Sequence, residues 1–188
     1  MILIAGLGNP DVKYKNNRHN VGFIFIDYLF SKFSELTNLR INKFKYDKKL
    51  NSQFAKLVID KNELILVKPQ TFMNRSGEAV RKVIENWKLK IENLIVAHDD
   101  LDISLGKFKI QKGTGPLLHN GIESIENHLH TKDFWRVRIG VDNRKTANRI
   151  NGETYVLQNF QPEEKEIIDQ TFSPIYSAIT NRFGCFSA

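Results

Sequence analysis

Residues 94–100, LIVAHDD, run as an apolar stretch straight into two carboxylates. A stretch of that kind reads as a central strand that delivers polar side chains to its C-terminal edge, the place where open α/β sheets keep their chemistry. Residues 2–8, ILIAGLG, repeat the theme as a short buried strand ending in a glycine-rich turn. Between the two, apolar residues at 21, 24, 25, 28, 29 and 36 recur at helical spacing and predict a helix over Asn20–Leu36, with Asn20 as its cap. Residues 41–46, 53–59 and 63–67 read as strands, the last two joined at Lys61-Asn62. Residues 76–88 form an amphipathic helix for which Ser76 is a fitting N-cap. A strand at 107–112, a helix at 120–130 and a strand at 135–141 follow. Pro162, followed by glutamates, starts a final helix. Strands alternating with helices give an α/β class. The expected architecture is a single three-layer domain spanning 1–188, with a mixed, mostly parallel twisted sheet flanked by helices.

Composition narrows the function classes. With 41% hydrophobic and 26% charged residues, the chain can build a core and is not a disordered tail. No apolar run approaches the ~18 residues that cross a bilayer, and the N-terminus lacks the pattern of a secretory leader. The single cysteine, Cys185, has no partner for an internal disulfide, so a cytoplasmic location is expected. Lys and Arg number 28 against 21 Asp and Glu, a net charge of +7 that suits a polyanionic partner such as nucleic acid.

Familiar catalytic templates are missing. There is no G-x-S-x-G elbow, GLGNP is not G-x-G-x-x-G, and no Walker motif occurs. The histidines at 19, 98, 119, 128 and 130 lack metal-site spacing, so neither metal nor cofactor is expected; His128 and His130 read as exposed. What remains is a set of element ends carrying amide, imidazole or carboxylate groups: Asn9, His19, Asn74, Asp99, His119 and Asn120. Each has a plain alternative. Asn9 before Pro10 suits a turn, Asn120 with Glu123 suits a capping box, Asn74 suits a cap and Met73 suits a core. Together they fit one chemistry. A histidine takes a proton from water, a carboxylate fixes its tautomer, and neutral amides orient the water or stabilise an oxyanion. Such a set suits ester hydrolysis without a covalent nucleophile.

The segments LIAGLGNP, NNRHNVGF, LVKPQTFMNRSGEAV, LIVAHDDLDISLGKFKI, HNGI, FWRVRIGV and GETYVLQNF also resemble bacterial peptidyl-tRNA hydrolases, in order and over most of the chain. The resemblance implies a monomeric α/β enzyme without cofactor or metal that cleaves the ester between peptide and tRNA. It implies His19 as general base, Asp99 as its orienting carboxylate, and Asn9, Asn74 and Asn120 as pocket amides. Tyr14, Met73 and His119 would join Asn74 and Asn120 at the substrate. Lys107, Lys109, Lys112, Arg136 and Arg138 would face tRNA phosphates. The chain departs from the family at GTGPLLHNG, where Pro116, Leu117 and Leu118 stand in place of glycines, and at Asp11. Two other readings compete: a non-catalytic RNA-binding protein on the same scaffold, and a nucleotide-binding protein that uses GLGNP as a phosphate loop.

Overall fold

Residues 1–37, 43–59, 62–144 and 150–184 are described by the computed structural model. Their strands are β1 (Ile2–Gly6), β2 (Lys45–Asp47), β3 (Ser52–Ile59), β4 (Asn62–Pro69), β5 (Leu94–Ser104), β6 (Phe108–Lys112) and β7 (Trp135–Asp142). The helices are α1 (Val21–Thr37), α2 (Ser76–Trp87), α3 (Asn120–Leu129), α4 (Gly152–Val156) and α5 (Pro162–Phe183). All seven strands share one sheet in the order β2-β3-β4-β1-β5-β7-β6. The four central strands are parallel through the pairs β4–β1, β1–β5 and β5–β7, while β2, β3 and β6 add antiparallel margins. The sheet is mixed with a parallel core, as the alternation of strands and helices requires.

Alternate residues of each central strand face opposite layers. Ile2, Ile4, Leu64, Leu66, Ile95, Ala97, Val137 and Ile139 pack with α1 and α5, where Phe25, Phe33 and Phe172 are fully buried or nearly so. Each such ring contributes about 1.5–3 kcal/mol by leaving water. Leu3, Ala5, Ile65, Val67, Leu94 and Val96 pack with α2 and α3 on the other face. Burial on both faces explains why β1 and β5 read as unbroken apolar runs.

Several local details differ from the sequence reading. The strand expected at 41–46 is β2 at Lys45–Asp47, and residues 41 and 42 lie outside the described residues. Asn62 already belongs to β4, paired with Ile59, so it is not part of the turn; Lys61 lies outside the described residues, as does Cys185. Ser76 does not cap α2: its hydroxyl donates to the Met73 carbonyl at 2.8 Å and ties the helix to the preceding 3-10 turn. Strand β5 continues past the carboxylates to Ser104, with a register shift against β7 between Asp100 and Ser104. The short helix α4 was not anticipated, although Asn151 accepting from the Glu153 N–H gives it an ordinary cap. Pro162 opens α5 as expected, with Glu163 and Glu164 in its first turn.

One close approach carries the topology into the site. Gly22, in the first turn of α1, lies against β5 and the β1 end so tightly that a Cβ there would sit 2.4 Å from the Ala97 carbonyl oxygen. The Phe23 N–H donates to the Leu7 carbonyl at 3.2 Å, closing the same junction. The start of α1 is thereby pinned over the C-terminal end of β1 and the first half of β5.

Candidate active site

The turn before α1 holds His19 over β5. Residues Arg18–Asn20 form a 3-10 turn, and each of the three is anchored differently. Arg18 is buried and donates to Glu164 of α5 at 2.5 Å. Its guanidinium also lies 4.0 Å from the centre of the Tyr155 ring and donates to the Tyr155 and Gln158 carbonyls. Asn20 clamps the GLGNP turn: its Oδ1 accepts from the Asn9 N–H and its Nδ2 donates to the Asn9 carbonyl, both at 2.9 Å. Asn20 is therefore not a helix cap; both ends of its amide are used eleven residues upstream. Between these anchors, the His19 Nδ1 lies 2.9 Å from each Asp99 carboxylate oxygen.

A second imidazole meets the same carboxylate. His119 Nε2 lies 3.0 Å from Asp99 Oδ1. Its Nδ1 accepts from the N–H groups of Gly121 and Ile122 at 3.1 and 3.3 Å, which makes His119 the N-cap of α3. The capping box expected at Asn120–Glu123 is thus replaced by an imidazole cap one residue earlier. That cap also settles the tautomer: an Nδ1 that accepts leaves the hydrogen on Nε2, which donates to Asp99. Asp99 then takes N–H donors from both rings, and His19 is left with an unprotonated Nε2 at the cleft.

Charge follows geometry. Burial alone pushes the Asp99 carboxyl up, but the charge and hydrogen bonds of His19 and His119 outweigh it and hold the group far below the usual carboxylate range. Burial lowers the His19 pKa, yet the facing Asp99 carboxylate more than offsets this, and the net shift is upward. His98 behaves oppositely. It is fully buried, its Nδ1–H donates to the Asp99 carbonyl at 2.6 Å, and its ring packs edge-on to His119 at 4.8 Å. Burial first, then the neighbouring His119, hold it well below the ordinary imidazole value, so it stays neutral.

The surrounding cleft has a volume of about 580 Å³ and is bordered by Asn9, His19, Met73, Asn74, Asp99, His119 and Asn120. Asn9 Oδ1 accepts from the Met73 N–H at 2.9 Å, which orients the amide and leaves its NH2 end for the cleft. Asn74 is exposed, and its side-chain amide makes no hydrogen bond among the described residues. The Gly121 position holds Met73 close, since a Cβ there would lie 2.5 Å from its sulfur. Leu118, noted in the sequence as a departure from the family's glycines, also lines the cleft, and with it Phe72, Leu101, Val156 and Leu157, which the sequence reading missed. Of those missed, Val156 lies in α4, whose Asn-Gly-Glu start at 151–153 was a legible helix signal.

Three residues expected at the substrate or the tRNA lie away from the cleft or the surface. Tyr14 does not border the cleft; its half-buried ring carries the Lys13 ammonium, 4.9 Å from its centre. Arg136 and Arg138 do not face solvent. Arg136 pairs with Glu126 at 2.8 Å and Arg138 with Asp100 at 2.6 Å, both buried. Lys107, Lys109 and Lys112 are exposed along β6, with Lys112 paired to Asp133 at 3.1 Å. His130 is exposed, whereas His128 is half-buried and bonded to the Ser124 carbonyl.

His19, Asp99 and His119 have donor atoms within 4.8 Å of one another, which makes them the metal-like cluster among the described residues. Their chemistry does not suit chelation. His119 Nδ1 is occupied by backbone N–H groups, and the two ring N–H groups already satisfy the carboxylate. The trio borders the cleft.

The pattern that defines the family described as Peptidyl-tRNA hydrolase matches residues 3–183. The chain belongs to this family. A relative named peptidyl-tRNA hydrolase from Halalkalibacterium halodurans is 41% identical over 90% of this chain and 86% of its own. Another so named, from Bartonella quintana, is 39% identical over 95% and 85%. Among solved structures, the peptidyl-tRNA hydrolase of Acinetobacter baumannii superposes with a TM-score of 0.78 at 29% identity, over 92% of this chain and 83% of that one. The family and its fold agree with the sheet and layers described above.

Proposed function

We propose that this chain is a peptidyl-tRNA hydrolase, which cleaves the ester between peptide and tRNA and so recycles tRNA from stalled ribosomes. The observation that carries the mechanism is the hydrogen-bonded set His19–Asp99–His119 at the mouth of an amide-lined cleft. His19 Nε2 removes a proton from water as the water attacks the ester carbonyl. Asp99 stabilises the imidazolium that forms and keeps the hydrogen of the resting ring on Nδ1. His119 holds the carboxylate in place from the rigid start of α3. The NH2 groups of Asn9, Asn74 and Asn120 supply donors for the tetrahedral oxyanion and the attacking water. The imidazolium then returns its proton to the ribose oxygen, releasing tRNA and a free peptide acid.

Lys107, just before the edge strand β6, and Lys109 on it are exposed and are the phosphate contacts this reading retains. Among the described residues no helix is long and apolar enough to cross a membrane. The enzyme is taken to act as a cytoplasmic monomer without metal. A purely RNA-binding role is not favoured, because binding needs positive charge but not an oriented imidazole.

The test is release of N-acetyl amino acid from tRNA by wild type and by His19→Ala, with and without EDTA. Wild type should turn over in both conditions. The variant should lose activity by three orders of magnitude or so while keeping its tRNA affinity. Turnover that EDTA abolishes, or a His19→Ala enzyme near wild type, would refute the scheme.

A further inference from the structure

The loop between β6 and α3 presents two apolar side chains that the hydrolytic relay does not use. Leu117 is 86% exposed and Leu118 is 93% exposed. A slack loop could fold such residues away, but this one is held from below. The Arg136 guanidinium donates to the Gly115 carbonyl, and the Arg138 guanidinium lies 2.2 Å from where a Gly115 Cβ would stand. The Leu117 N–H donates to Asp102 at 2.9 Å, and Asp102 lies 3.7 Å from Arg138. The two buried arginines thus brace the loop that carries the leucines.

The neighbouring leucines border different spaces. Leu118 lines the catalytic cleft, where Phe72, Met73, Leu101, Val156 and Leu157 make up the rest of its apolar surface. Leu117 borders a second hollow of about 520 Å³, which adjoins the cleft at Leu101, with Asp102, Ser104, Asp142 and Arg144. A substrate in the cleft has two halves. The phosphates of the nucleotide half gain nothing from exposed leucine. A peptide half with an apolar side chain gains by removing that surface from water.

We infer that Leu118 is a specificity-determining residue: it forms an apolar lip that covers an apolar side chain of the peptide beside the scissile ester. Peptidyl-tRNAs ending in apolar residues are therefore the preferred substrates. This rests on the reading of the cleft as the site of ester hydrolysis.

The test charges one tRNA body with N-acetyl-leucine or with N-acetyl-serine and compares kcat/KM. Wild type should favour the leucine ester by about 10-fold, the order expected from covering a few methylene groups. Leu118→Ala should bring the two substrates to within about 2-fold, mainly through loss on the leucine ester. Leu117→Ala should keep the wild-type ratio. Both side chains are exposed, so neither change threatens folding. An active wild type without preference, or a ratio unchanged in Leu118→Ala, overturns the inference and leaves the hydrolytic reading intact. Equal loss on both esters also overturns it, placing the lip against tRNA. No turnover of either ester by wild type overturns the hydrolytic reading beneath it.

Discussion

Replacing Asp99 by asparagine keeps the shape of the relay and removes its charge. Asp99 Oδ1 is shared by both imidazoles, at 2.9 Å from His19 Nδ1 and 3.0 Å from His119 Nε2, while Oδ2 meets only His19, at 2.9 Å. Because His119 is fixed as an Nε2–H donor by the cap of α3, the asparagine oxygen must take the Oδ1 position. Its NH2 then takes the Oδ2 position, where it competes with the shared oxygen for His19 Nδ1 and favours a ring that has given up its Nδ1 hydrogen. The ring converts to the Nε2–H tautomer, and the cleft faces a donor where it needs a base. A unit charge about 4 Å from the forming imidazolium is worth about 4 kcal/mol at an effective dielectric of 20. Loss of that term lowers the rate about 10³-fold. Single-turnover hydrolysis of N-acetyl-aminoacyl-tRNA by Asp99→Asn should show this loss in kcat, with KM within a few-fold of wild type. A loss below about 10-fold, or one confined to KM, would refute the tautomer argument.

Arg18→Met leaves Glu164 buried without its cation, at a cost of about 3–5 kcal/mol; thermal unfolding should fall by roughly 6–20 °C, and an unchanged melting point would remove Arg18 from its anchoring role. Lys107→Glu with Lys109→Glu should weaken tRNA binding and flatten its salt dependence with stability unchanged. Arg136→Gln should instead destabilise the fold, and a pure binding defect there would contradict its pairing with Glu126. Linkage gives stability two edges. The contribution of His19, whose folded pKa is raised, is complete below about pH 6.5 and fades as pH rises through the folded value; that of Asp99, whose folded pKa is depressed, is complete above about pH 4 and fades below it. The stability gap between wild type and Asp99→Asn, measured by urea unfolding, should therefore peak between those limits, and a gap flat with pH would count against the ion pair.

The layers were readable because burial leaves a periodic trace. Apolar runs in β1 and β5 and helical spacing in α1 and α2 follow directly from which faces are covered. The pairing of His19 with Asp99 joins residues 80 apart and depends on β1 and β5 being neighbours, so the sequence could suggest it only as chemistry that fits together. The arginines are buried where exposure was expected, for a physical reason. In WRVRIG, Val137 and Ile139 face α1 and α5, which sends Arg136 and Arg138 to the opposite face of β7. Nothing in that alternation says that Glu126 of α3 and Asp100 of β5 wait there to neutralise them. The caps went astray similarly. Local patterns named Asn20, Ser76 and Asn120, but tertiary partners claimed the Asn20 amide and the Ser76 hydroxyl, and the His119 ring nitrogen took the helix N–H groups first. Leu118 stood out in the sequence only as bulk where the family has glycine; its place beside the cleft needed the fold.

One titration bears on the base itself. The nitrogen shifts of the His19 ring, followed by NMR on the same preparation used for single-turnover kinetics, should show an unprotonated Nε2 in the neutral form. They should also show a midpoint above the ordinary imidazole value of about 6.5, coincident with the acid limb of the rate profile. A hydrogen on Nε2 at neutral pH, or a rate indifferent to the state of that ring, would mean that water is activated by something else.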